Sequence, residues 1–208
     1  MDGSIYDHSY FIEGRKSGKS LYEDYRWMPE LTIPMVLRMI DHLGIDKDDV
    51  IVDYGCARGY IVRAFRELGY EAYGVDVSEW AIANCDEVAK LYLSCTDKIP
   101  PQTDWVIAKD VLEHVSEVTT AITRMMDAAK VGVFAVVPLA DIDHMPYVVR
   151  EYERDITHLH RLTLSTWFQL FDDPFWTVEL AYRVPGIKDN YFKEGWERGN
   201  GFITARRQ

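Results

Sequence analysis

Val50-Ile51-Val52-Asp53-Tyr54-Gly55-Cys56-Ala57-Arg58-Gly59 is the stretch on which the fold turns. A short β-branched run leads into a turn where small residues, Gly55, Ala57 and Gly59, recur at every second position. Side chains that small let a ligand approach the backbone, and the helix that follows offers free N–H groups at its start. Asp53 closes the strand, placed either to orient the turn or to accept hydrogen bonds from a cationic ligand group.

Working outward, strands and helices alternate. Upstream, Val36, Met39, Ile40 and Leu43 recur at helical spacing between Pro29 and Leu43, and Gly44 supplies a stop. Downstream, Tyr60 to Leu68 has helical periodicity ending at Gly69. Ala72 to Val77 reads as the next strand, and Ser78 as the N-cap of a helix running through Ala83. A weak strand is expected at Leu91-Tyr92-Leu93 and a clearer one at Trp105 to Ala108. Ser116 is placed to cap a helix whose Val118, Ile122, Met125 and Ala129 share one stripe. Val131 to Val137 is nearly continuous and apolar, the pattern of a strand covered on both faces.

This βαβαβ order predicts a doubly wound sheet. Trp176 to Val184 and Phe202 to Ala205 then read as two strands with no helix between them, joined by a loop holding Pro185, Gly186 and Gly195. The expected fold is therefore α/β, with a mostly parallel seven-stranded sheet closed by a C-terminal antiparallel pair. Residues 1–28, rich in Tyr, Gly and charge, read as an N-terminal arm, and residues 29–208 as a single domain.

The 208 residues suffice for one domain with a substantial core, and 48% are hydrophobic, which argues against a disordered chain. No apolar run approaches the roughly 20 residues that cross a bilayer, and Met1-Asp2-Gly3-Ser4 lacks the basic-then-apolar pattern of a signal peptide. A cytoplasmic location and no membrane partner are the default expectation. Cys56, Cys85 and Cys95 are odd in number and lack C-x-x-C spacing, giving neither a disulfide framework nor a zinc knuckle. The formal charge of −11 opposes binding of a nucleic acid on most faces. The basic clusters Arg15-Lys16-Ser17-Gly18-Lys19 and Arg206-Arg207 are small.

The second strand ends at Asp76, 23 positions after Asp53. A carboxylate there can accept two hydrogen bonds from vicinal ribose hydroxyls, although it can also serve as a helix-entry residue ahead of Ser78. Its spacing from a glycine turn favours the ribose role. Two rival glycine motifs fit less well. A NAD site wants G-x-G-x-x-G, and here the third small position comes one residue early. A P-loop wants four residues between its glycine and G-K-S, whereas Gly14 to Gly18-Lys19-Ser20 has three and follows no strand.

Asp53-x-Gly55-x-Ala57-x-Gly59, Gly74-Val75-Asp76-Val77-Ser78 and Asp110-Val111-Leu112-Glu113-His114-Val115 together resemble successive motifs of class I S-adenosylmethionine-dependent methyltransferases, in their small-molecule branch. The resemblance covers about residues 29 to 137, with a weaker echo to the C-terminus, and that family also ends its sheet in an antiparallel pair. It implies S-adenosylmethionine as cofactor, with Gly55, Cys56, Ala57 and Gly59 around its methionine part. It places Asp53 near the cofactor's ammonium, Asp76 and Val77 at the ribose, and Asp97, or instead Cys95 or Thr96, at the adenine. Asp110 falls beside the methionine end. Ala57 departs from the family's usual glycine, but a methyl group is small enough for binding to survive.

In Lys19-Ser20-Leu21-Tyr22-Glu23-Asp24-Tyr25-Arg26-Trp27 the arm reads either as a lid touching the cofactor through Tyr22, Tyr25 and Arg26, or, more simply, as an amphipathic helix packing Leu21, Tyr25 and Trp27 on the sheet edge. The stretch Pro138 to Leu162 begins where open α/β sheets bind ligands and holds Asp141, Asp143, His144, Glu151, Asp155, His158 and His160. Its Asp155-x-Thr157-His158-x-His160 resembles an element of some small-molecule methyltransferases. That makes His158 the candidate catalytic base, against the reading of a plain structural polar residue. His114 is expected to position the helix under the cofactor. His158-x-His160 with nearby acids is too common on solvated loops for a metal to be assigned.

The expected activity is methyl transfer to an oxygen or nitrogen of a small polar metabolite, a sugar or glycan precursor first. A non-catalytic cofactor-binding partner subunit and an NAD-dependent oxidoreductase are the alternatives.

Overall fold

A computed structural model describes residues 3–189 and 196–208. Gly195 of the expected C-terminal loop, and Met1 and Asp2, lie outside the described residues. Seven strands form one sheet in the order β3-β2-β1-β4-β5-β7-β6. They are β1 (Val50–Tyr54), β2 (Glu71–Asp76), β3 (Leu93–Cys95), β4 (Trp105–Lys109), β5 (Gly132–Pro138), β6 (Trp176–Ala181) and β7 (Asn200–Arg207). The first five are parallel, and β7 runs antiparallel to both β5 and β6. The doubly wound sheet with its antiparallel close is thus present.

Alternation along each strand feeds two cores. Val52, Val106, Ala108, Val133, Ala135 and Ile203 face one side, under α6 (Val118–Ala128) and α7 (Leu164–Phe171). Ile51, Trp105, Ile107, Phe134 and Phe202 face the other, under α3 (Pro29–Leu43) and α4 (Tyr60–Glu67). Every residue of β5 is buried, as its unbroken apolar run requires when both faces are covered. Gly44 closes α3 at φ 66°, the left-handed conformation that glycine adopts without strain.

Three sequence expectations shift. Lys90–Tyr92 is a 3-10 turn and the edge strand begins only at Leu93; Leu91 is almost fully exposed, so its apolar character reports no core face. α6 begins at Val118, which leaves Ser116 one position too early to cap it; Glu117 is the N-cap and makes no side-chain cap bond. β6 ends at Ala181, where pairing with β7 reaches Phe202, and Val184 turns instead into the core beneath α3. Ser78 does cap α5 (Glu79–Ala83), its side chain accepting from the Ala81 N–H.

The arm contains two single-turn helices, α1 (His8–Phe11) and α2 (Gly14–Ser17), and then runs without helix from Gly18 to Met28. The amphipathic helix expected around Leu21 to Trp27 does not form. The chain instead folds back over the sheet's carboxyl edge: the Ser78 hydroxyl donates to the Tyr6 carbonyl, and Arg58 donates to the Tyr25 carbonyl at 2.8 Å.

Candidate functional site

The carboxyl ends of β1, β2 and β4 converge on a cleft of about 780 Å³. Asp53, Gly55, Cys56, Ala57, Asp76, Val77, Asp97 and Asp110 all line it, so most residues singled out from the sequence meet in one place. Tyr6, Tyr10, Tyr22, Tyr25 and Arg26 of the arm line its other side. Gly59 is outside that lining; at φ 79° it forms the N-cap of α4, and a Cβ there would press on Leu93 and Ala89. Its smallness serves helix–sheet packing.

Gly55 sits at φ 77°, and a Cβ on it would come within 2.5 Å of Val111. Ala57 also has positive φ, and its N–H donates to Asp76 Oδ2 at 2.7 Å. Asp76 Oδ1 accepts from the Ser78 N–H at 2.8 Å. This carboxylate therefore ties the β1 turn to the β2 turn, and each oxygen keeps lone-pair capacity for a ligand hydroxyl. Burial pushes its pKa up.

Asp53 is nearly inaccessible, and burial together with the neighbouring Asp76 raises its pKa to about 7, with Lys109 working in the opposite direction. Asp110, at φ 57°, bonds Lys109 through one oxygen and Lys188 through the other. Burial alone would raise its pKa, but the two ammoniums hold it below the ordinary carboxylate range. At the far end of the cleft, exposed Asp97 pairs with Arg124 at 3.0 Å.

His158 is not among the residues that line the cleft. Its ring packs edge-on against His114, with centroids 4.6 Å apart, and His114 does line the cleft. Burial, and next the adjacent His114, bring the His158 pKa down to about 4, so its ring is neutral near pH 7. His160 turns away, with Nε2 2.8 Å from the Val115 carbonyl.

His114 has a fixed tautomer. Thr157 Oγ1 donates to Asp155 Oδ1 and so accepts from His114 Nδ1–H at 2.7 Å, which leaves the lone pair on Nε2. Burial lowers its pKa as well. Glu113 is fully buried beside both rings, and burial followed by repulsion from Asp110 raises its pKa well above normal.

Sequence reasoning ranked His114 below His158 and passed over Glu113, although both lie inside the quoted Asp110–Val115 motif. Lys188 carried no local signal, since it reaches Asp110 across 78 positions of chain.

A family model described as a methyltransferase domain matches residues 26–179. No curated protein sequence matches the chain. Among solved structures, the plantazolicin methyltransferase BpumL with bound SAH is similar at TM-score 0.61 and 13% identity, over 86% of this chain and 83% of that one. Magnesium protoporphyrin IX methyltransferase from Synechocystis PCC 6803, with bound SAM, gives 0.61 and 15% over 85% and 78%. The cyclase SpnF gives 0.65 and 16% over 91% and 86%. At such identities the structural likeness speaks to the fold alone, and a fold hosts many chemistries.

Proposed function

The chain belongs to the Methyltransferase domain family and uses S-adenosylmethionine; from that premise we propose that it methylates an oxygen or nitrogen of a small polar metabolite, with sugars and glycan precursors the first class to test. The observation that carries this reading is the meeting of Asp53 and Asp76 beside the Gly55–Ala57 turn in one cleft. A buried carboxylate whose pKa is raised to about 7 is starved of a cation and fits an ammonium group. A second one that already spans the two turns fits vicinal hydroxyls.

The cofactor's sulfonium supplies the activated methyl group. The protein's task is alignment and exclusion of water, and the arm's aromatic side of the cleft suits both. His114 presents the acceptor end of the cleft with a polar wall. His158 acts through His114, as a positioning residue.

Two observations favour a small acceptor. The cleft lies in the range of metabolite-binding sites, a few hundred to about a thousand Å³. The chain's charge of −11 repels polyanions.

The test incubates the protein with S-adenosylmethionine and panels of hydroxyl-bearing and amine-bearing metabolites, following S-adenosylhomocysteine and product mass together. A mass gain of one methyl in a sugar-class acceptor supports the reading. Turnover confined to RNA or protein acceptors would refute it.

A further inference from the structure

Behind the acceptor wall lies a cluster whose chemistry alignment does not use. One ligand atom from each of Glu113, His114 and His158 lies within 4.8 Å of the others. Glu113 Oε1 is 3.9 Å from His114 Nε2 and 4.0 Å from His158 Nε2. Around a tetrahedral ion with bonds of about 2.1 Å, donors stand about 3.4 Å apart, so Glu113 Oε1 would close by roughly half an ångström on each imidazole and the two imidazoles, within 4.8 Å of each other, by at most about 1.4 Å.

The cluster is incomplete as it stands. Glu113 is 1% exposed, yet among the described residues its Oε2 finds no hydrogen-bond partner. Buried polar atoms are almost always partnered, and the exceptions call for an explanation. The nearby ammoniums are engaged elsewhere: Lys109 bonds Asp110, while Lys188 bonds Asp110 and Asn200. Asp155, 4.0 Å from His158 Nε2, holds the Tyr10 and Thr157 hydroxyls. The Asp155–Thr157–His114 chain also turns the His114 lone pair onto Nε2, the atom nearest Glu113. Outer-shell bonds of this kind orient imidazole ligands at metal sites.

We propose that Glu113, His114 and His158 bind a divalent transition-series cation, with an open coordination position on the side where His114 meets the cleft. Two imidazoles and one carboxylate suit Zn²⁺, Mn²⁺, Fe²⁺ or Co²⁺, whereas Mg²⁺ and Ca²⁺ favour all-oxygen sites. Three protein ligands leave room for a further oxygen. Resting on the methyl-transfer reading above, the ion's use is to orient and polarise an acceptor oxygen, which extends to this cluster the acceptor role that reading gives His114.

The test uses chelator-stripped full-length protein and the metal alone. Titration with Co²⁺ or Mn²⁺ is expected to saturate at one ion per chain in calorimetry and to raise Tm, and the Co²⁺ form to show the visible bands of nitrogen ligation. Glu113→Gln and His158→Asn should each weaken binding at least tenfold. In metal-free buffer Glu113→Gln should be no less stable than the parent, because it removes a buried carboxylate without a cation. Absence of saturable binding at one ion per chain, Co²⁺ bands lacking nitrogen ligation, or parental affinity in both variants overturns the site. If either variant fails to fold, the parent's Co²⁺ spectrum still decides. No acceptor or cofactor enters these measurements. A bound ion in a protein that transfers no methyl group therefore defeats the functional reading alone, while transfer by a protein that binds no ion defeats this inference alone.

Discussion

Asp76 performs two tasks with one carboxylate. It fastens Ala57 to Ser78 through their N–H groups and, in the proposed reading, also receives the ribose. Asp76→Ala should therefore lose both functions. Hydrogen bonds to a charged acceptor contribute about 1.5–3 kcal/mol each, so two lost ribose bonds predict cofactor binding weaker by roughly a hundredfold or more. The freed N–H groups should lower Tm as well. Asp76→Asn, which keeps one acceptor oxygen, should recover part of each. Parental affinity for S-adenosylhomocysteine in Asp76→Ala, by calorimetry, would remove Asp76 from the site.

Asp53 makes a pH prediction. Its folded pKa of about 7 lies above the ordinary 3.8, so near pH 5 to 6 the ligand-free protein keeps a proton that the unfolded chain has lost. This group therefore erodes stability as pH rises from about 4 to 7. An ammonium ligand needs the ionised form and must expel that proton. Affinity for S-adenosylhomocysteine should climb with pH below 7, by at most about tenfold per unit, and level off above it. Asp53→Asn should flatten the profile, and a flat profile in the parent protein refutes the ammonium contact. Asp53 and Asp76 were legible because a contiguous strand–turn pattern announces them. The tautomer of His114 was not, because it depends on Thr157, 43 positions along the chain, and on Asp155 beside it.

At the scale of elements, strands with strong patterns were read to within a residue or two, as with β5, whose apolar run left no alternative. The arm was misread for a physical reason. Leu21, Tyr25 and Trp27 read as one helix face, but their packing partners are tertiary: Leu21 packs against the Tyr147–Tyr152 cluster, Tyr25 on Phe11 and Tyr60, and Trp27 on Tyr60. Side-chain spacing cannot distinguish those partners from the next turn of a helix. The arm is hinged to the binding turn through Arg58, which also holds the Asn84 carbonyl at 2.7 Å. Arg58 itself is outside the cleft lining. Arg58→Ala should loosen the arm, speeding proteolysis within residues 12–28 and lowering S-adenosylhomocysteine affinity about fivefold, the effect of roughly 1 kcal/mol from a partly exposed bond. Unchanged proteolysis and affinity would mean that the arm is held without Arg58, by its aromatic contacts and its bonds to Ser78 and Asp155.

For the whole molecule, the cleft is assembled from distant parts of one sheet. The arm covers it, the β1 to α6 segment forms its floor, and Lys188 reaches Asp110 from the loop between β6 and β7. Sequence order announces the sheet, because βαβ connections permit few topologies, but it does not reveal which loop returns to the floor. A ligand that touches the arm and three strand ends at once stabilises the fold as a unit, and its effect follows from mass action. At a concentration one hundred times Kd it contributes about 2.7 kcal/mol. For a chain of this size, 1 kcal/mol moves Tm by roughly 2–4 °C, so saturating S-adenosylhomocysteine should raise Tm by about 5–11 °C. NAD should produce no comparable rise, since the turn lacks the third glycine in the register a dinucleotide site requires. The reverse pattern in a thermal-shift comparison, stabilisation by NAD and none by the homocysteine nucleoside, would overturn the assignment of the cleft. A rise with both would show that the Asp76 end of the cleft recognises the shared adenosine and that discrimination lies at Asp53, which a nicotinamide cannot engage as an ammonium does.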